Sequence, residues 1–174
     1  MTDLRYPIGK YEPLTETNEA QRRALIDSLA KLPLQLRAAV KDLSPQQLDT
    51  PYRPEGWTVR QTVHHIADSH LNGYIRFKWA LTEDEPRIKP YDEKLWSQLA
   101  DARTADPALS LALLDALHQR WVLLLQSLRA EDFTRKLLHP EVGWMPLDTT
   151  LGLYEWHGRH HTKHITNLRR RMEW

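Results

Sequence analysis

Seven of the nine histidines in this 174-residue chain stand in two short runs. The first, V-H-H-I-A-D-S-H, holds His64, His65 and His70. The second, W-H-G-R-H-H-T-K-H-I, holds His157, His160, His161 and His164. The second run contains two i,i+4 pairs, His157/His161 and His160/His164. Residues four apart share one face of a helix, so each pair aims two imidazoles at one place. A third imidazole from the first run would complete a three-histidine centre with open coordination positions. Open positions are the mark of a catalytic metal, since structural sites are closed by four protein ligands.

Helices must position these residues, and helical periodicity dominates the chain. Glycine is scarce, alternating patterns are absent, and prolines fall between periodic segments. Residues 1–13 read as an extended arm. A first helix is expected from Thr17 to Lys41, with Leu25, Leu29, Leu32, Leu36, Val40 and Leu43 as its stripe and Pro33 as a kink or break. Ser44 and Pro45 start a short helical turn. Thr58 and Gln61 form a capping box that opens a second helix, running to about Leu81. A loop follows over Glu83–Pro90. Asp106-Pro107 opens a third helix to about Leu128, along Leu109, Leu113, Leu117, Leu124 and Leu128. A fourth runs from about Leu147 to Arg171. Four long amphipathic helices and no strands predict an all-α four-helix bundle, one domain spanning residues 1–174.

A weak internal echo runs through this pattern. Pro54-Glu55-Gly56-Trp57 precedes one histidine helix, and Pro140-Glu141-Val142-Gly143-Trp144 precedes the other. A short helical turn is expected before each, near Pro45–Leu48 and Ala130–Phe133. Two related halves would put the histidine helices in facing positions.

A helical wheel sorts the candidates. On the last helix, His161 falls inside the apolar arc of Leu147, Leu151, Tyr154, Ile165 and Leu168, and His157 lies at its edge. His160 and His164 turn further toward solvent. On the second helix, His70 falls among Val59, Val63, Ile66, Tyr74 and Phe77, which suits a hydrogen-bonded core histidine. His65 instead shares a polar stripe with Gln61, Asp68, Asn72 and Arg76. That stripe is either a solvated face or one wall of a groove. His118 and His139 are isolated and read as structural or surface groups.

Composition narrows the function classes. Net charge is +1, so no basic field asks for nucleic acid. The run Arg169-Arg170-Arg171 suits a helix C-terminus. There is no cysteine, which removes disulfides, thiolate-ligated zinc, iron–sulfur clusters and a cysteine nucleophile. The first residues carry no apolar leader and the apolar runs are too short or interrupted to span a bilayer, so a cytoplasmic protein is expected. No Ser-His-Asp spacing or Gly-rich phosphate loop is visible.

The motifs G-W-T-V-R-Q-T-V-H-H-I-A-D-S-H, Y-I-R-F-K, K-P-Y-D-E-K, H-P-E and L-G-L-Y-E-W-H-G-R-H-H-T-K-H-I, with the Y-P-I-G-K-Y arm, resemble the DinB-like superfamily, and most closely its YfiT-type metal-dependent hydrolases. The likeness covers nearly the whole chain. It implies a four-helix bundle with a long crossover, often as a homodimer. It also implies one divalent metal held by His65, His157 and His161. His65 as a ligand rests mainly on this resemblance, since the wheel did not favour it. Zinc or nickel is expected, although imidazole also suits iron and copper. In one reading the metal activates water to hydrolyse a small-molecule substrate. In another it stabilises a low-molecular-weight thiol of the bacillithiol or mycothiol kind, transferred to an electrophile, as in related members of the superfamily. In a third the bundle binds metal without catalysis, for which a fourth protein ligand closing the site would be the mark; Asp68 is the candidate, with the alternatives of accepting an imidazole N–H or being polar surface. Arg76 could hold a substrate anion or make a surface ion pair. Trp57 and Trp156 could wall a pocket or belong to the core.

Overall fold

The computed structural model describes residues 3–13 and 16–174, so Met1 and Thr2 of the expected arm lie outside it. Seven α-helices are present among these residues: α1 (Glu19–Val40), α2 (Pro45–Leu48), α3 (Val59–Thr82), α4 (Glu93–Trp96), α5 (Ala100–Thr104), α6 (Pro107–Gln126) and α7 (Leu147–Met172). A 3-10 turn at Ala130–Thr134 and an antiparallel hairpin, β1 (Lys136–His139) with β2 (Gly143–Pro146), separate α6 from α7. The four long helices make the bundle: α1 and α3 each pack on both α6 and α7.

Local chemistry explains where the helices begin. Asn18 caps α1 by accepting the Gln21 N–H, while the Gln21 side chain accepts the Asn18 N–H. Thr58 and Gln61 make the same reciprocal box at α3, satisfying donors that a helix start leaves free. Pro33 does not split α1 into two helices; the helix is continuous through it. A helical proline lacks the N–H that would bond the carbonyl four residues back. Here that carbonyl belongs to Leu29, and it accepts the His118 Nδ1–H instead, at 2.8 Å.

Two expectations are corrected. The hairpin is strand structure where none was foreseen: each strand is four residues long, too short for alternation to register. Its Leu137 and Met145 are paired and buried, and Gly143 takes φ +91° at the turn. The stripe of α6 was also misplaced. Leu109 and Leu113 are 67% and 43% exposed, while Leu111, Leu114, Trp121 and Leu125 join Leu117 in the interior. Leucines lie all round this helix, so apolarity alone does not mark its inner face. By length and composition α6 is apolar enough to cross a membrane, yet its inner face is committed to the bundle.

The echo between the halves has a structural counterpart. The α2 turn and a Pro51–Thr58 antiparallel bridge lead into α3; the 3-10 turn and the hairpin lead into α7.

Two apolar clusters fill the bundle. One centres on Phe77, Trp121, Leu147, Leu151 and Tyr154. The other centres on Leu36, Val63, Ile66, Leu114 and Ile165. Along α3 and α7, His70 and the segment His157–His164 stand where one cluster gives way to the other. Close helix approach there depends on Gly73, where an added Cβ would stand 2.6 Å from the Tyr154 ring and 2.7 Å from Trp121. Gly73→Ala is therefore expected to destabilise the fold by about 1–3 kcal/mol, despite its better helix propensity. Urea denaturation checks this.

Candidate metal centre

The inner histidines meet between α3 and α7. One ring nitrogen from each of His65, His157 and His161 falls within a mutual 4.8 Å. His65 Nε2 and His157 Nε2 are 3.0 Å apart. The ring centroids lie 4.5–5.0 Å from one another, His157 to His161 at 4.5 Å and His65 to His157 at 5.0 Å. Burial penalises imidazolium: it lowers His65 to about 4 and His157 and His161 well below 6.5. The three rings are thus neutral near pH 7 and carry lone pairs.

This donor set fits a metal ion. Bond lengths of about 2.0–2.1 Å to imidazole place neighbouring ligand nitrogens roughly 2.9–3.4 Å apart, and the His65–His157 separation already has that value. No carboxylate joins the trio among the described residues, so a metal held here would have three protein donors and open positions.

The open side faces a cleft of about 720 Å³, on which His65, His157 and His161 all border. Gln61, Ser69 and Arg76 of α3 line it too. The polar stripe of α3 is therefore largely a groove wall, and His65, which the wheel did not favour, is buried in it. Trp57 walls the cleft, its ring 4.4 Å from His65 and 6.0 Å from His161. Trp156 instead stacks on His160. Tyr91 and His139, from the segment before α4 and from β1, complete the far wall.

Other candidates are placed as follows. Asp68 is half-buried and, among the described residues, accepts from no histidine. Burial, with Asp101 nearby, raises its pKa to about 6. It is neither a fourth ligand nor an imidazole acceptor here. Arg76 donates Nη1 to the Tyr154 hydroxyl at 2.9 Å and enters no ion pair among the described residues. His64 is structural, in contact with Ser110 Oγ and the Ala105 carbonyl near the start of α6.

The outward reading of His160 and His164 is overturned, since both are buried. Tyr52 stacks on His164 at 4.0 Å, the Arg5 carbonyl accepts its Nε2–H at 3.3 Å, and Tyr6 of the arm approaches His160 at 6.1 Å. With His161 they form a second close group of ring nitrogens. That group does not include the cleft-lining His65 and His157, and neither His160 nor His164 borders the cleft.

His70 and His118 are the residues whose part was least visible in sequence. They touch each other, Nδ1 of His70 to Nε2 of His118, at 3.1 Å, and His70 Nε2 lies 3.4 Å from His157 Nδ1.

Comparison with known proteins agrees with this architecture. The DinB superfamily model matches residues 28–165. "Putative metal-dependent hydrolase YfiT" of Bacillus subtilis (strain 168) is 53% identical over 173 residues, covering 99% of this chain and 97% of the relative. A Bacillus cereus (strain B4264) protein, also named a putative metal-dependent hydrolase, is 53% identical over 174 residues with full coverage of both. The solved structure of YfiT from Bacillus subtilis, described as a probable metal-dependent hydrolase with an unusual four-helix bundle topology, superposes with a TM-score of 0.97 over 99% of each chain. With its bundle, its paired histidine helices and these relatives in agreement, the chain belongs to the DinB superfamily.

Proposed function

We propose that this chain is a metal-dependent hydrolase acting on a small molecule, with one divalent cation, zinc or nickel, held by His65, His157 and His161. The observation that carries the reading is the convergence of three neutral imidazoles from two helices, His65 and His161 buried and His157 half-buried, at the floor of an open cleft. The names of the relatives support the reaction class. When bound, such a cation supplies Lewis acidity and lowers the pKa of water toward neutrality.

The chain's own residues do the rest. His157 and His161, one turn apart on α7, fix two donors on a rigid element, and His65 adds the third from α3. Trp57 shields the imidazole side from bulk water. Arg76, a half-buried cation with no carboxylate partner among the described residues, holds an anionic group of the substrate, and the Tyr154 hydroxyl orients its guanidinium.

The test is elemental analysis of untagged protein, followed by an ester and amide panel before and after chelation. The expected result is about one ion per chain, with hydrolysis lost on chelation and restored by zinc or nickel. Turnover of a low-molecular-weight thiol with an electrophile, and none of esters or amides, would put thiol transfer in its place. Arg76→Gln is expected to raise KM about tenfold for carboxylate-bearing substrates, with metal content unchanged.

A further inference from the structure

We propose that His118 and His70 are positioning residues that set the tautomer of His157 through a buried relay of hydrogen bonds beginning at the Leu29 carbonyl. The consequence for metal binding rests on the three-histidine reading above; the relay itself does not.

The argument follows proton by proton. A carbonyl oxygen only accepts, so His118 Nδ1, 2.8 Å from the Leu29 oxygen, must carry a hydrogen. His118 is buried, and burial keeps its ring neutral. A neutral ring with a proton on Nδ1 has a bare Nε2. That Nε2 lies 3.1 Å from His70 Nδ1, which must therefore donate. His70 is wholly buried and neutral by the same cause, so its Nε2 accepts. The donor available to it is His157 Nδ1, at 3.4 Å. His157 is then left with a bare Nε2, the atom that faces His65 Nε2 across 3.0 Å. Running the relay in reverse would set the His118 Nδ1 lone pair against the lone pairs of a buried carbonyl.

The relay crosses the whole bundle. Its members come from α1, α6, α3 and α7 in turn. Its starting point exists because Pro33 has no N–H to occupy the Leu29 carbonyl. The proline expected to break α1 thus supplies the acceptor that orders three histidines. Partners behind a ligating imidazole commonly fix its tautomer and ring orientation and strengthen metal binding about 10- to 100-fold.

The experiment is long-range proton–nitrogen NMR on 15N-labelled, metal-free protein, beside metal titrations of His118→Phe and His118→Gln. Wild type is expected to show His118, His70 and His157 all protonated on Nδ1. Phenylalanine removes both polar ends of the link; zinc affinity is expected to fall at least about tenfold and the His70 and His157 signals to lose the single tautomer. Glutamine offers one donor and one acceptor and is expected to restore affinity to within about threefold of wild type. A proton on Nε2 of His157 in wild type would overturn the relay, even where zinc still binds. Wild-type affinity and tautomers in a folded His118→Phe protein would overturn it as well. Should that variant not fold, the wild-type spectrum decides alone. The Nδ1 pattern without any metal binding would sustain the relay and remove the metal reading.

Discussion

Replacing His65, His157 or His161 singly by alanine is expected to leave the protein with less than about a tenth of the wild-type metal and to lower hydrolysis by about a thousandfold or more. Each removes one of the three proposed donors, and among the described residues no neighbouring carboxylate is placed to substitute. His157→Ala should also cost the most stability, because it leaves His70 Nε2 buried with nothing to accept. His160→Ala is the informative control. His160 lies one residue from a ligand and is equally buried, yet it does not border the cleft. It should retain its metal and activity. Elemental analysis and melting curves of the four variants check the set; metal lost in His160→Ala and His161→Ala but kept in His65→Ala and His157→Ala would place the ion in the outer group.

Acidification is expected to unfold the metal-free protein before its carboxylates other than Asp68 titrate. Burial lowers His65, His118, His160 and His164 to about 4, and holds His70, His157 and His161 well below 6.5. In the unfolded chain each histidine takes a proton near 6.5. The stability conferred by keeping these rings neutral is whole above that value and is lost as pH falls from 6.5 toward 4, because the unfolded chain binds protons that the folded one refuses. His65 and His118 alone each forfeit on the order of 3 kcal/mol across that window. Domains of this size have roughly 5–15 kcal/mol in total. Urea midpoints measured in steps from pH 7.5 to 4.5 should therefore fall steeply below 6.5, and metal should move the fall to lower pH, since bound ligands resist protonation. A flat profile would mean that these rings are solvated.

The same partners explain what could be read from the sequence. The start of α3 was legible because its capping box is local, and the span of α7 because its periodicity is. The inward turn of His157 and His161 was legible too, since their own helix carries the apolar arc that defines it. His65 was ambiguous on its wheel because the wall opposite its stripe is built from Tyr91 and His139, which lie in other elements. His160 and His164 were misjudged because Tyr52 and the arm cover them from more than a hundred residues away. His118 looked isolated for the same reason: its partners are His70 and a backbone carbonyl freed by Pro33. Periodicity reports which face is apolar and says nothing about what is laid over a polar one.

The arm bears on how the protein should be handled. The Tyr11 hydroxyl donates to the Thr149 carbonyl at 2.8 Å, Tyr6 approaches His160, and the Arg5 carbonyl caps His164. Trimming these residues would strip the arm from an i,i+4 histidine pair on α7, the arrangement that immobilised-nickel resins capture, and leave Tyr52 and Trp156 as its cover. Chains clipped at the arm would then co-purify on such a column and carry extra metal, so an ion count above one is first a question of N-terminal integrity.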